Sequence, residues 1–266
     1  MKSLLICLLF VLISDQLPAF TLNTNIAANF DQDDVMMNVA DHTCANNGLT
    51  HQEILDLAEE AAEKYWNKAP TSRLRLLRGS TLSVAGAFYT DQLCNTGTNC
   101  EPNPDLKYSH DVLISCNDDS THGTNFPQAN LYALTAPNNI SGGKIVSSTI
   151  LLNDRHATLG SVSRNDLLLM MAHELGHAVG LGHSHQDHSI MFFQLGVDKE
   201  KLSPDDVEGI GYLYPALQPD LGGSCGTTNH HHDHHHHNSS GLLFFVTTLM
   251  AAVGIRLLWG LLGRDK

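Results

Sequence analysis

The chain has 266 residues, a formal net charge of −13, 42 % hydrophobic and 16 % charged residues. That length suits one catalytic-size domain plus processing and anchoring segments, and the composition can bury an ordinary core. An acidic chain without a basic stripe repels phosphates, which disfavours nucleic acid as a partner.

Residues 1–19 read as a signal peptide. Lys2 gives the positive end, residues 4–13 are apolar apart from Cys7, and Ala19 offers a small residue at the cleavage point. The run is short for a membrane span; an uncleaved N-terminal anchor is the alternative. Export favours disulfides. Five cysteines remain after the signal, so one is unpaired. Cys94 and Cys100 flank a short turn and are expected to pair locally, Cys44 with Cys116 is the next expected pair, and Cys225 is left over.

Residues 20–43 are rich in Asn and Asp with little periodicity and read as a short leader or pro-segment. The expected domain covers 44–217. Thr50 and Glu53 form a capping-box pattern, and Ile54, Leu57, Ala58, Ala61, Ala62, Tyr65 and Trp66 recur at helical spacing to about Asn67. Strand-like stretches follow at 74–77, 84–89, 111–115, 130–134 and 145–152, separated by Gly, Asn and Pro clusters. A second helix begins near Asn165 with Leu167, Leu168, Met171, Leu175 and Ala178 on its apolar face; a third begins at Ser203 with Pro204 in its first position. One helix before the strands and two after them predict an α+β domain. Residues 218–241 form a Gly/His-rich linker, and 242–262 form a largely apolar run interrupted by Arg256.

The segment that carries chemistry is His173-Glu174-Leu175-Gly176-His177-Ala178-Val179-Gly180-Leu181-Gly182-His183. On a helix, positions 173 and 177 lie one turn apart on one face, so two imidazoles can share a zinc ion. Gly180 permits a sharp turn with positive φ, which brings His183 round as the third metal ligand. Three protein ligands leave the fourth tetrahedral position for water, the catalytic arrangement of zinc. Glu174 is placed as general base and then acid, activating the zinc-bound water and delivering its proton to the leaving amine. HExxH alone arises by chance; the added glycine and third histidine make the signal strong.

This motif, followed by Ser184 and by Ser189-Ile190-Met191, resembles the matrixin branch of the metzincins. So does the stretch Leu202-Ser203-Pro204-Asp205-Asp206-Val207-Glu208-Gly209-Ile210, and more loosely residues 111–137. The resemblance implies a metzincin-like catalytic domain: a twisted, mostly parallel sheet, an active-site helix and a small lower subdomain. It implies a zinc-dependent endopeptidase acting on protein or peptide substrates, with one catalytic zinc and with calcium as a further candidate ion. It also implies that extended substrate pairs with an edge strand near 130–134, that residues 191–202 wall the pocket for the residue after the scissile bond, and that Met191 supports the site without ligating. The matrixin pattern of a second, structural zinc is met only at His122, with Thr124 and Ala133 at other expected ligand positions, so no such zinc is expected. The family's cysteine latency motif is absent; Cys44 could act as an inhibitory thiolate, but a disulfide is the expected fate.

Seven histidines and one Asp fill residues 230–237. They read as a polar spacer, with zinc gathering as the alternative. Residues 242–262 fit a membrane helix with the positive Arg264 and Lys266 inside, a cleaved lipid-anchor signal or a processed sorting tail, against a buried soluble helix. The first three put the protein at a surface, secreted or extracellular. The reading is of a protease hydrolysing extracellular proteins; the alternative is a catalytically silent peptide- or metal-binding surface protein.

Overall fold

The computed structural model describes residues 20–42, 44–94, 102–121, 125–194 and 199–216. The chain divides after Leu217 into two units. The expected signal peptide, the linker at 218–241 and the apolar run at 242–262 lie outside the described residues, as do Cys100, His122 and Thr124. No helix among the described residues is long and apolar enough to cross a membrane.

The framework is a six-stranded sheet: β1 (Asn29–Phe30), β2 (Asp34–Ala40), β3 (Arg75–Leu82), β4 (Asp111–Asn117), β5 (Ala133–Ser141) and β6 (Lys144–Asn153). β4 runs parallel to β6 and β2, β2 runs parallel to β3, and β5 alone is antiparallel, returning along β6. β1 pairs in parallel with Lys144 and Ile145, which also pair with β5. A strand has two edges, so β1 lies on the β4 side of β6, and among the described residues β5 is a free sheet edge. This is the mostly parallel α+β architecture that the sequence implied.

Alternation along the strands sorts the core into two layers. Val112 and Ile114 of β4, with Ile150 and Leu152 of β6, point to the main core; Leu113 and Leu151 point to a second cluster with Phe88, Leu93, Leu106 and Phe126. The main core is closed by α1 (His51–Lys64), α3 (Arg164–Ala178) and α4 (Pro204–Leu213). α1 starts as expected: Thr50 Oγ1 accepts from the Glu53 N–H at 3.2 Å and Glu53 Oε2 accepts from the Thr50 N–H at 2.8 Å.

Three expectations need correction. The segment 20–43, expected as a leader, contains β1 and β2, and β2 lies between β4 and β3 inside the sheet. Its Val35, Met37 and Val39 are buried at every second position, and Asn38 and Ala40 are buried too; the apolar period-two signal is masked by the surrounding Asp and Asn. The domain therefore begins N-terminal to residue 44. The expected strand at 84–89 is instead a loop leading into a short helix, α2 (Ala87–Thr90). The expected strand at 130–134 is β5, displaced to Ala133–Ser141. It contains Pro137, which cannot donate to a ladder; an edge strand tolerates this, and the register shifts between Ala136 and Asn139.

Cys44 and Cys116 form the expected disulfide, with Cα atoms 5.1 Å apart. It fastens the segment after β2 to β4 and removes Cys44 as a free thiolate. Cys94 is also disulfide-bonded; its expected partner, Cys100, lies outside the described residues.

Candidate metal centre

α3 is capped by Ser163, whose hydroxyl accepts from the Asp166 N–H at 3.2 Å, and it is buried from Leu167 to its end. Its spacing of four puts His173 and His177 on one face, with Nε2 atoms 3.1 Å apart. His183 joins them, its Nε2 3.2 Å from that of His177. One nitrogen from each of the three lies within 4.8 Å of the others, a group able to hold a metal ion.

The return from helix to third histidine depends on glycine. Gly180 has φ +107°, and a Cβ there would come within 2.5 Å of the Ala28 carbonyl. The Leu181 N–H reaches back to the Gly176 carbonyl at 3.0 Å and closes the helix end. Gly176 is needed for a second reason: a Cβ would overlap Met191 Sδ and approach Trp66 to 2.7 Å. Met191 thus packs directly beneath the helix turn between the two histidines, the supporting position expected for it.

The outer nitrogens of both helix histidines are held by backbone. His173 Nδ1 lies 2.8 Å from the Ile190 carbonyl, and His177 Nδ1 lies 2.8 Å from that of Leu181. A carbonyl can only accept, which assigns the ring proton to Nδ1 and leaves the Nε2 lone pairs converging. Burial pushes both imidazoles down to about 4, and it lowers the more exposed His183 too. The three rings are neutral near pH 7, the state that binds a cation. Converging lone pairs without protons between them repel, so this donor set fits a divalent metal, and three imidazoles suit zinc.

Glu174 is buried at the same face of the cleft. Burial raises its pKa, opposed by the electrostatic influence of the nearby His177 and by the Thr135 hydroxyl, which donates to Oε2 at 2.6 Å. The cleft encloses about 870 Å³ and is lined by the three histidines, Glu174, Tyr132, Leu134, Thr135, Met170, Phe192 and Phe193, among others. The sheet edge β5 lines it with Ala133 to Thr135, and the segment after Met191 lines it with Phe192 to Gln194.

Sequence reasoning missed several supports. Thr135 carries no motif signal. Asp206, buried in α4, accepts from Ser189 Oγ at 2.5 Å, Ile190 N at 2.9 Å, Met191 N at 3.2 Å and Ser203 N at 2.8 Å. It ties the Met191 turn to the start of α4; the Ser203-to-Asp206 capping-box spacing was its signal. The segment before β1 also reaches the site. Thr21 Oγ1 donates to the His183 carbonyl at 2.5 Å, and Asn23 Nδ2 to that of His177 at 3.2 Å. Trp66 Nε1 donates to the Ala172 carbonyl at 2.8 Å, fixing the helix from α1's side. Ala133 opens β5, and among the scattered histidines His185 borders the cleft.

Two buried imidazoles and a third, exposed one, all neutral, beside a buried carboxylate in a cleft along β5 suit the class of a metal-dependent hydrolase. The matrixin family profile matches residues 27–215, most of the chain, and the chain belongs to the matrixin family of peptidases. It is similar to Metalloendoproteinase 2-MMP of Arabidopsis thaliana, 40 % identical over 77 residues that cover 28 % of this chain and 20 % of that one. It is also similar to human Matrix metalloproteinase-16, 42 % identical over 78 residues covering 27 % and 13 % of the two chains, and to human Matrix metalloproteinase-15, 51 % identical over 60 residues covering 21 % and 9 %. The matched stretches span a fifth or less of these relatives' own length. The family match begins before residue 44 and agrees with the corrected N-terminal boundary.

Proposed function

We propose that the chain is a zinc-dependent endopeptidase that hydrolyses peptide bonds in extracellular proteins. The observation that carries the reading is the convergence of three neutral imidazoles on one point beside buried Glu174. His173, His177 and His183 would hold one zinc ion. When bound, zinc supplies Lewis acidity, polarising the scissile carbonyl and making water acidic enough to be deprotonated near neutral pH.

The chain's own groups do the rest. Burial raises the proton affinity of Glu174, which suits it to take a proton from the attacking water and give it to the leaving amine. Thr135 holds the carboxylate in one orientation through Oε2. The Ile190 and Leu181 carbonyls fix the ring orientation of His173 and His177. Extended substrate would add to β5, which has no partner strand on its outer edge among the described residues. The wall from Phe192 to Gln194 would bound the pocket for the residue after the scissile bond.

The remaining segments extend the reading. Residues 1–19 are proposed as a signal peptide, 218–241 as a linker, and 242–262 as a membrane segment or anchor signal, putting the domain at an extracellular surface. The relatives are named as metalloendoproteinases and matrix metalloproteinases, which supports an extracellular or membrane-associated protease. The test is cleavage of a mixed peptide library by the wild type and by Glu174→Gln. Wild type should cleave, a chelator should abolish cleavage, and the variant should lose about 10²- to 10⁴-fold, the range for a general base. Equal behaviour of the two proteins would favour a silent peptide- or metal-binding protein instead.

A further inference from the structure

We propose that Lys199 is a specificity-determining residue whose ammonium, behind the Phe192–Gln194 wall, selects substrates with an acidic side chain after the scissile bond. The proposal deepens the endopeptidase reading and rests on it.

Lys199 is only 6 % exposed, unusual for a lysine. Its backbone is fixed from the core side: the Tyr65 hydroxyl, at the buried end of α1, donates to its carbonyl at 2.7 Å. From that anchor the side chain reaches the cleft wall. Nζ lies 3.5 Å from the Gln194 carbonyl and 5.7 Å from the centre of the Phe192 ring. Both residues line the cleft. The two contacts sit at the outer limits for a hydrogen bond and a cation–π pair, so they leave most of the capacity of three N–H donors unused.

No carboxylate stands within 4.0 Å of this ammonium among the described residues. Asp206 contributes favourable charge from further away, but its oxygens already accept from Ser189, Ile190, Met191 and Ser203. Asp187 also contributes, and its side chain is 80 % exposed. A largely buried cation without a close counter-charge is costly, and burial holds Lys199 below the usual lysine range. A substrate carboxylate entering past Phe192 would supply the missing partner. Among the described residues the cleft lining offers no competitor: Glu174 is its one acidic residue, and it lies beside the three histidines, while Leu134, Met170, Phe192 and Phe193 are apolar.

The experiment compares four peptides that differ only after the scissile bond, carrying Glu, Gln, Leu or Lys. They are offered to the zinc-loaded wild type, Lys199→Met and Lys199→Glu, with zinc content and melting temperature checked for each. The wild type should favour Glu over Gln in kcat/KM by about tenfold, as desolvated charge pairing allows. Lys199→Met should erase that ratio, and Lys199→Glu should turn the preference towards Lys. An unchanged Glu-to-Gln ratio in Lys199→Met overturns the proposal. So does a wild type that shows no Glu preference, a readout independent of whether the variants fold. If no peptide is cleaved, the endopeptidase reading fails by itself. Fluorescence anisotropy of the same peptides on zinc-loaded Glu174→Gln still reads the side-chain preference: tighter binding of the Glu peptide supports the role of Lys199, and equal binding overturns it.

Discussion

In the stretch 163–214, the functional contacts close over a few residues. Two histidines sit one turn apart, Gly180 turns the chain to His183 three residues on, and Asp206 caps its own helix while holding the Met191 turn. In the stretch 20–117, the same domain is held by distant partners. β2 pairs with β3 and β4, whose partner residues lie about 41 and 75 positions away, and the disulfide joins cysteines 72 apart. The first region writes its chemistry in local spacing. The second holds that chemistry in place through pairings that spacing does not encode.

The largest way to break this arrangement is to cut the long-range tie. Replacing Cys44 and Cys116 together with Ser opens a loop of 72 residues; constraint of the unfolded chain puts the loss at about 4 kcal/mol. Urea denaturation should show it as a lower midpoint. Zinc affinity of the folded fraction should stay unchanged, because neither cysteine touches the histidines. A stability equal to that of the wild type would mean that the sheet half holds without the tie.

Next in size is Asp206→Asn, a break inside the local region. The amide nitrogen cannot accept, so some of the donors now served by Asp206 lose a partner, at about 3 kcal/mol in total. Because Ile190 both donates to Asp206 and accepts from His173 Nδ1, this variant should also weaken zinc retention in a chelator competition. The cysteine variant should not. Identical zinc retention in the two variants would remove the distinction between the regions.

A smaller effect belongs to Thr50→Ala. It deletes the cap of α1 and should cost about 1 kcal/mol, with kcat/KM unchanged, since Thr50 is exposed and its side chain bonds only within the cap, to Glu53. A melting temperature equal to wild type would show that the cap contributes nothing in this context.

The division between local and distant pairing also sets what the sequence could tell. The convergence of the three histidines was legible because they, the glycine bend and Glu174 fall within eleven residues, and each has a fixed geometric consequence. The capping box of α1 and the Ser203-Pro204 start of α4 were legible for the same reason. β2 was hidden: Val35, Met37 and Val39 alternate, but the Asp and Asn around them resemble a loop, and only parallel pairing with β3 and β4 makes a strand of them. Residues 84–89 erred the other way. Val84, Ala87 and Tyr89 have a strand-like composition, yet the segment covers the second hydrophobic cluster as a loop and one helical turn. Thr135 was illegible because its partner, Glu174, lies 39 residues along the chain.

That misread segment offers the smallest and most specific test. Tyr89 stacks on His42 with ring centres 4.1 Å apart, and its hydroxyl donates to Asp41 at 3.0 Å. It thereby joins α2 to the loop after β2, the element that the sequence also hid. Burial, with help from Asp41, pushes its pKa up to about 12, against about 10 in an unfolded chain. Between those values the unfolded state has lost the proton that the folded state keeps, so stability falls as pH rises. The contribution is complete below pH 10 and gone above 12. Tyr89→Phe should therefore lower the urea midpoint at pH 8 slightly and flatten its decline between pH 10 and 12. Some decline should persist, because burial also raises Tyr108 and Tyr214. If the two proteins lose stability in parallel across that window, the phenol does not couple α2 to β2, and the sheet half is held by its strands and disulfide alone.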